Sequence, residues 1–221
     1  MQKVNYDNFS KTFSTSRNGM KWEEIDYFLE KYSDFIDGKK ILDIGCGNGR
    51  LLDHFIKSQY ITDIDYFGID ASIGMINEAK SKFGSEDFLV GDMLDLDKLK
   101  FKDFKTIFFI ASFHHLLNIT QRLEVLEKLK NITQRGSYIF MTNWALDSEL
   151  NKQKYEKSII KDSKNEFNSK DYNIKIGEFE RFYHNFSLSE LEYVFKETGY
   201  EIIENRLFDN DRNFVSVIKR S

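Results

Sequence analysis

The sequence predicts a doubly wound α/β fold: a mostly parallel sheet with helices on both faces and a C-terminal antiparallel hairpin. Three observations carry this. From residue 39 onward, short apolar runs alternate with segments of helical spacing, the signature of βαβ units. The run at 106–111 is almost continuously apolar, as expected of a central strand in a parallel sheet. The first run breaks on Gly45-Cys46-Gly47-Asn48-Gly49, a glycine-rich turn at the carboxyl end of strand one, where open α/β sheets place their ligands.

The elements follow in order. Lys39-Lys40-Ile41-Leu42-Asp43-Ile44 is strand one, and Leu51, Leu52, Phe55 and Ile56 then repeat at helical spacing. Strand two, Asp65-Tyr66-Phe67-Gly68-Ile69, ends at Asp70; Ser72 is a good N-cap for a helix carrying Met75, Ile76 and Ala79. Strand three covers 87–90 and ends at Gly91-Asp92, and strand four covers 106–111. Asn118 or Thr120 caps a helix with Leu123, Leu126 and Leu129, and strand five runs over 138–142 after Gly136. Residues 146–177 break the rhythm with seven lysines (Lys152, Lys154, Lys157, Lys161, Lys164, Lys170 and Lys175). That stretch reads as a solvated surface insertion, with a lid or substrate-contacting segment as the alternative. Ser187 or Ser189 caps the last helix, Gly199 ends it, and 200–206 pairs with 214–219 across Asp209-Asn210-Asp211.

Composition bounds the function. The chain has 221 residues, room for one α/β domain and short for two. Its 32 Lys+Arg against 36 Asp+Glu, a net charge of −4, argues against a dedicated duplex binder, which would be basic overall. A single cysteine, Cys46, excludes an intrachain disulfide and fits a reducing compartment. The first residues hold no apolar signal core, and the longest apolar stretch, 107–111, is far too short to span a bilayer, so a soluble cytoplasmic protein is expected. Proline is absent where average usage would give roughly eleven. Turns must therefore rely on Gly, Asn, Asp and Ser.

The chemistry concentrates after strand one. Glycines there let a backbone approach a ligand closely. Asp70 follows Gly49 by 21 residues at the end of strand two, close to the ~20 expected of a ribose-binding carboxylate. As a bland alternative Asp70 caps the following helix. Cys46 reads as a small buried filler, and His54 as a surface residue. No His, Cys or Asp cluster has metal-ligand spacing, so no metal is expected.

Residues 43–49, Gly68-Ile69-Asp70, Gly91-Asp92-Met93 and the strand 107–111 resemble, in order, the successive motifs of class I S-adenosylmethionine-dependent methyltransferases. The resemblance implies a Rossmann-like methyltransferase fold with S-adenosylmethionine as cofactor. It implies that Gly45, Gly47 and Gly49 border the methionine moiety, that Asp43 orients the loop, and that Asp70 takes the ribose. It further implies that Asp92 meets the adenine amino group, Met93 packs on its ring, and Ala111 borders the site. A closer resemblance, to the tRNA wobble-uridine carboxymethyl methyltransferases, rests on Ile110-Ala111-Ser112-Phe113-His114-His115-Leu116, Thr142-Asn143-Trp144-Ala145 and Arg181-Phe182-Tyr183-His184. Phe13-Ser14-Thr15-Ser16-Arg17 with Trp22, and Asp209-Asn210-Asp211-Arg212-Asn213-Phe214, add to it. These enzymes esterify a carboxylate on a modified anticodon uridine. By this resemblance the chain is a single methyltransferase domain, 1–221. It divides into an N-terminal helical cover (1–38), a cofactor-binding core (39–145), a polar insertion (146–180) and a C-terminal helix with strands (181–221).

A carboxylate acceptor is already ionised at neutral pH and needs no base. Arg181, Tyr183 and His184 could then build a cationic, donor-rich pocket, and Arg17 could pair with the cofactor's carboxylate. A phenol, amine or carbon acid would instead need proton removal, with His114 or His115 as the candidate base. In an extended segment Arg181 and Tyr183 would face one way, Phe182 and His184 the other. The acceptor stays open between a tRNA and a small metabolite. A non-catalytic methyltransferase-like subunit is the third reading, and a small activating protein subunit is a further expected partner.

Overall fold

The computed structural model describes residues 22–84, 86–177 and 179–221. Arg17 and the segment 13–17 lie outside these. The elements run α1 (Glu23–Tyr32), β1 (Lys40–Ile44), α2 (Arg50–Lys57), β2 (Asp65–Asp70), α3 (Ile73–Phe83), β3 (Phe88–Val90) and β4 (Phe104–Ile110). They continue with α4 (Ile119–Leu129), β5 (Thr133–Trp144), the short α5 (Lys152–Tyr155), β6 (Lys170–Ile176), β7 (Phe179–Asn185), α6 (Leu188–Glu197), β8 (Tyr200–Leu207) and β9 (Asn213–Arg220).

The main sheet has seven strands in the order β3-β2-β1-β4-β5-β9-β8. Neighbours from β3 through β5 are parallel, and β9 runs antiparallel to both β5 and β8. The strand order reverses between β1 and β4, the switch point at which a crevice opens beyond the carboxyl ends. One face carries α4 and α6, through Val125, Leu126, Leu129, Leu191 and Val194. The other carries α1, α2 and α3, through Ile25, Phe28, Phe55, Ile76 and Ala79. Each such fully buried Val, Leu, Ile or Phe side chain contributes about 1.5–3 kcal/mol. Ser72, Asn118 and Ser187 accept from Met75 N, Gln121 N and Glu190 N, so the caps are the serines and asparagine rather than Asp70, Thr120 or Ser189. Among the described residues no helix is long and apolar enough to cross a membrane.

Two elements differ from the sequence expectation. β5 begins at Thr133, ahead of the apolar run at Tyr138, through a register shift against Phe104 and Thr106. Ser137 makes this possible, because its buried hydroxyl reaches the carbonyl oxygens of Phe104 (2.9 Å) and Gln134 (2.6 Å). The lysine-rich stretch is not simply a solvated insertion. Its end is β6, which pairs antiparallel with β7 in a separate two-stranded sheet, with Ile174 opposite Arg181 and Asp171 opposite His184. Tyr172 and Ile174 alternate with polar neighbours and pack on Leu146 and Tyr183, so this hairpin owns a small apolar cluster.

A buried polar chain fastens the hairpin to the body. Arg122 Nη1 donates to Glu190 Oε1 at 2.8 Å, and Nη2 donates to the Leu116 carbonyl at 3.0 Å. Glu190 Oε2 meets His184 Nε2 at 2.9 Å and accepts from Asn165 Nδ2 at 3.1 Å, while His184 Nδ1 meets Asp171 Oδ1 at 2.6 Å. Burial works to raise the Glu190 carboxyl, but the hydrogen bond and charge of His184, the Ser169 hydroxyl and Arg122 hold it down at about 2. A depressed carboxyl adds stability above its unfolded value near 4.3 and loses it as pH falls through the folded one. Stability should therefore decline between about pH 4.3 and about pH 2. Glu190→Ala should cost about 3–5 kcal/mol in urea unfolding at neutral pH, since it strands the Arg122 charge. A loss below about 1 kcal/mol, the range of a surface pair, would show that the chain is not a structural anchor.

Candidate functional site

The crevice is built from the carboxyl ends of β1, β2 and β4. The β1 loop is pinned to β2: the amides of Gly45 and Cys46 donate to the Ile69 carbonyl at 2.8 and 2.9 Å, and Gly47 N donates to Asp70 Oδ2 at 2.9 Å. Asp70 Oδ1 accepts from Ser72 N at 2.9 Å. Gly45 has φ +79°, and a Cβ there would lie 2.5 Å from Ser112 Cβ, so only glycine fits. Gly47, at φ +56°, is the opposite case: a Cβ would meet nothing within 4 Å, and this is the open side of the cradle. Gly49, also at positive φ, lies against Phe83 and Phe88 and starts α2. Cys46 is buried and its thiol is pushed well up by burial, consistent with a filler.

The carboxylates differ in state. Asp43 is buried, with Oδ2 accepting from the Tyr66 hydroxyl at 2.6 Å, while Oδ1 has no hydrogen-bond partner among the described residues. Burial pushes its carboxyl up to about 7; Tyr66 pulls against the rise and the Asp70 charge adds to it. Burial also raises Asp70, against the amides of Ser72 and Gly47 and the positive charge of Arg181. Asp92 caps the turn of 3-10 helix Met93–Lys98 by accepting from Leu94 N at 3.0 Å, and Met93 packs half-buried on the main apolar cluster. Ala111 takes φ +52°, a left-handed conformation costly for a residue with a Cβ, and Thr142 fixes it by accepting from Ala111 N.

Beside this lies an aromatic wall that sequence reasoning did not assemble. Trp144 stacks on Tyr183 with ring centroids 4.9 Å apart, Tyr155 lies 6.1 Å beyond Trp144, and His115 meets Tyr183 edge-on at 4.7 Å. Arg181 sits 5.4 Å over the Tyr183 ring. The signal for Trp144 was its place two residues past the strand-five run, and Tyr155 gave none, because it sits among lysines. The alternation along β7 holds: Arg181 and Tyr183 share a face.

Two expected roles change. His184 does not face the crevice, because both of its ring nitrogens are taken by Asp171 and Glu190. His114 is not arranged as a base. The Trp144 amide donates to its Nδ1 at 3.2 Å, so that nitrogen is an acceptor and the ring proton sits on Nε2. His115 is the reverse tautomer, since Nδ1 faces the Phe182 carbonyl at 2.8 Å.

A methyltransferase domain family model matches residues 36–204. The chain belongs to that family. Among curated proteins, a tRNA (carboxymethyluridine(34)-5-O)-methyltransferase of Arabidopsis thaliana is 31% identical over 65% of this chain, and one of Saccharomyces cerevisiae is 28% identical over 71%. The chain spans only 32% of the first relative and 52% of the second. Among solved structures, a SAM-dependent methyltransferase of Methanosarcina mazei superposes at TM-score 0.64 with 21% identity, covering 85% of this chain and 95% of that one. A Haloferax volcanii methyltransferase, solved with the Trm112 methyltransferase activator, superposes at 0.69 with 15% identity and covers 99% of both chains. The fold is therefore the Rossmann-like methyltransferase fold, and its cofactor is S-adenosylmethionine.

The residues fit that cofactor. The open cradle at Gly47 admits an extended ligand, and the buried, unpartnered Asp43 Oδ1 suits a cationic group. Below about pH 7 the folded Asp43 carboxyl is protonated and neutral, and a bound cation favours its ionised form. Cofactor affinity should thus rise as pH climbs through about 7, and Asp43→Asn should flatten this in calorimetry; an unchanged profile would remove Asp43 from the contact. Asp70→Ala should weaken binding by about 1–3 kcal/mol, the cost of unpaired polar groups. Gly47→Val should abolish binding in a chain that keeps its native circular dichroism, and retained binding would show that the loop is no cradle.

Proposed function

We propose that this chain methylates a carboxylate carried by a modified uridine in the anticodon of a tRNA. The carrying observation is a fixed cation at the crevice: Arg181 lies over Tyr183 with its charge felt at Asp70. A carboxylate, already ionised, needs only such an anchor and no base. The relatives' names support the same acceptor, and the Haloferax structure supports a small activating subunit as a partner.

S-adenosylmethionine, when bound, supplies a methyl group on a positively charged sulfur. The chain's part is positional. Arg181 holds the acceptor carboxylate by two N–H donors, which fixes the angle of approach. The half-buried Trp144, backed by the buried Tyr183, presents a ring on which a uracil can stack, and the glycine loop with Asp70 sets the opposite partner. Holding two reactants in line can supply several kcal/mol of the barrier. No proton is transferred, since an ionised carboxylate becomes an ester.

Arg181→Ala should lower turnover with cofactor affinity nearly intact, and Arg181→Lys should recover it only in part, because lysine keeps the charge but not the fork. Radiolabelled methyl should pass from cofactor into bulk tRNA rather than into a metabolite extract. Label in the extract alone, or a silent Arg181→Ala, would turn the assignment to a small-molecule acceptor.

A further inference from the structure

The lysine-rich stretch has no part in the chemistry above, and its charge is unlike that of the rest of the molecule. Residues 151–177 hold seven lysines against four acidic residues, in a chain of net charge −4. Elsewhere lysines are commonly neutralised: Lys57, Lys82, Lys98, Lys128, Lys130 and Lys196 each lie within salt-bridge distance of a carboxylate. Lys152, Lys154, Lys157, Lys161, Lys164 and Lys175 are exposed, and none makes an ion pair among the described residues. Among the described residues Lys170 alone of the seven pairs, with Asp147 at 3.7 Å. Unpaired lysines on one segment produce a local positive field that net charge conceals.

The segment is also joined to the site. Ile159 bridges to Tyr172 of β6, and β6 pairs with β7, which carries Arg181 and Tyr183. Lys154 lies 4.9 Å over the Tyr155 ring, Tyr155 is 6.1 Å from Trp144, and Trp144 stacks on Tyr183. Lys154 therefore joins the lysine-rich segment to the aromatic cluster that ends at Arg181. A polyanion whose terminal element is a flat ring bearing a carboxylate matches that order of groups.

Resting on the RNA acceptor proposed above, we infer that Lys152, Lys154, Lys157 and Lys161 form the surface that docks the acceptor's phosphate backbone, delivering one base to the half-buried Trp144. The hairpin is then both the docking platform and the carrier of the carboxylate anchor.

The test titrates a fluorescein-labelled stem-loop RNA with the full chain and with two variants of equal net charge. One is Lys152→Ala/Lys154→Ala/Lys157→Ala/Lys161→Ala; the control is Lys57→Ala/Lys98→Ala/Lys130→Ala/Lys196→Ala. The first should lose about tenfold or more in affinity, and its log affinity against log salt should flatten by about 3, since each of four lysine–phosphate contacts contributes about 0.7–0.9 to that slope. The control should change less than about twofold, and both should bind cofactor as the parent does. Equal losses in the two variants would reduce the effect to net charge and overturn the docking surface. Retained affinity in the first would place the RNA elsewhere while leaving the RNA acceptor standing. Failure of the parent chain to bind RNA would overturn the acceptor reading itself, and binding to phosphatidylserine vesicles instead would assign the lysines to a membrane.

Discussion

The grip of β2 on the glycine loop is the constraint on which the rest depends. Three consecutive amides of the loop, those of Gly45, Cys46 and Gly47, are spent on the end of β2, two on the Ile69 carbonyl and one on Asp70. Without those bonds the loop would have no reason to curl back over β1, and the switch point would carry no cradle. The same contacts force the sequence: Gly45 must clear Ser112, whose hydroxyl donates to the Ile44 carbonyl at 2.6 Å and ties β4 to β1. Glycine loop, Asp70 and central strand pair are thus one hydrogen-bonded unit.

The second half of the site depends on a different kind of bond. The β6–β7 hairpin shares no ladder with the main sheet. Its apolar cluster is small, built on Leu146, Tyr172, Ile174 and Tyr183. Buried charge makes up the difference, through Arg122, Glu190, His184 and Asp171. Such a chain is a poor way to gain stability, because desolvating the ions costs much of what their attraction returns. It is a good way to fix orientation, because only one arrangement satisfies every partner. Orientation is what the anchoring role proposed for Arg181 requires.

The cofactor half was legible in the sequence because its requirements repeat at fixed distances. A glycine loop must follow a strand, and a carboxylate must end the next one, so 43–49 and Asp70 announce themselves. The β6–β7 half was less legible. Tyr172 and Ile174 alternate correctly for a strand but sit among lysines and asparagines, and the polar count outweighed the alternation. His184 reads the same whether it faces solvent, substrate or two carboxylates; only Asp171 and Glu190, 13 and 6 residues away, decide it. His114 likewise needed the Trp144 amide, which no spacing rule predicts.

The turns of this chain are made without proline. Asp103, Asp162, Asn168 and Asp211 take positive φ, a conformation that short polar side chains tolerate. Prolyl isomerisation, which delays folding by tens to hundreds of seconds, therefore has no site to act on anywhere in the 221 residues. What remains to set the pace is topology. β1 must find β4 across an intervening βαβ unit, pairing Ile41 with Thr106, before the crevice exists at all. The chain's refolding time is thus a clock for long-range strand pairing alone.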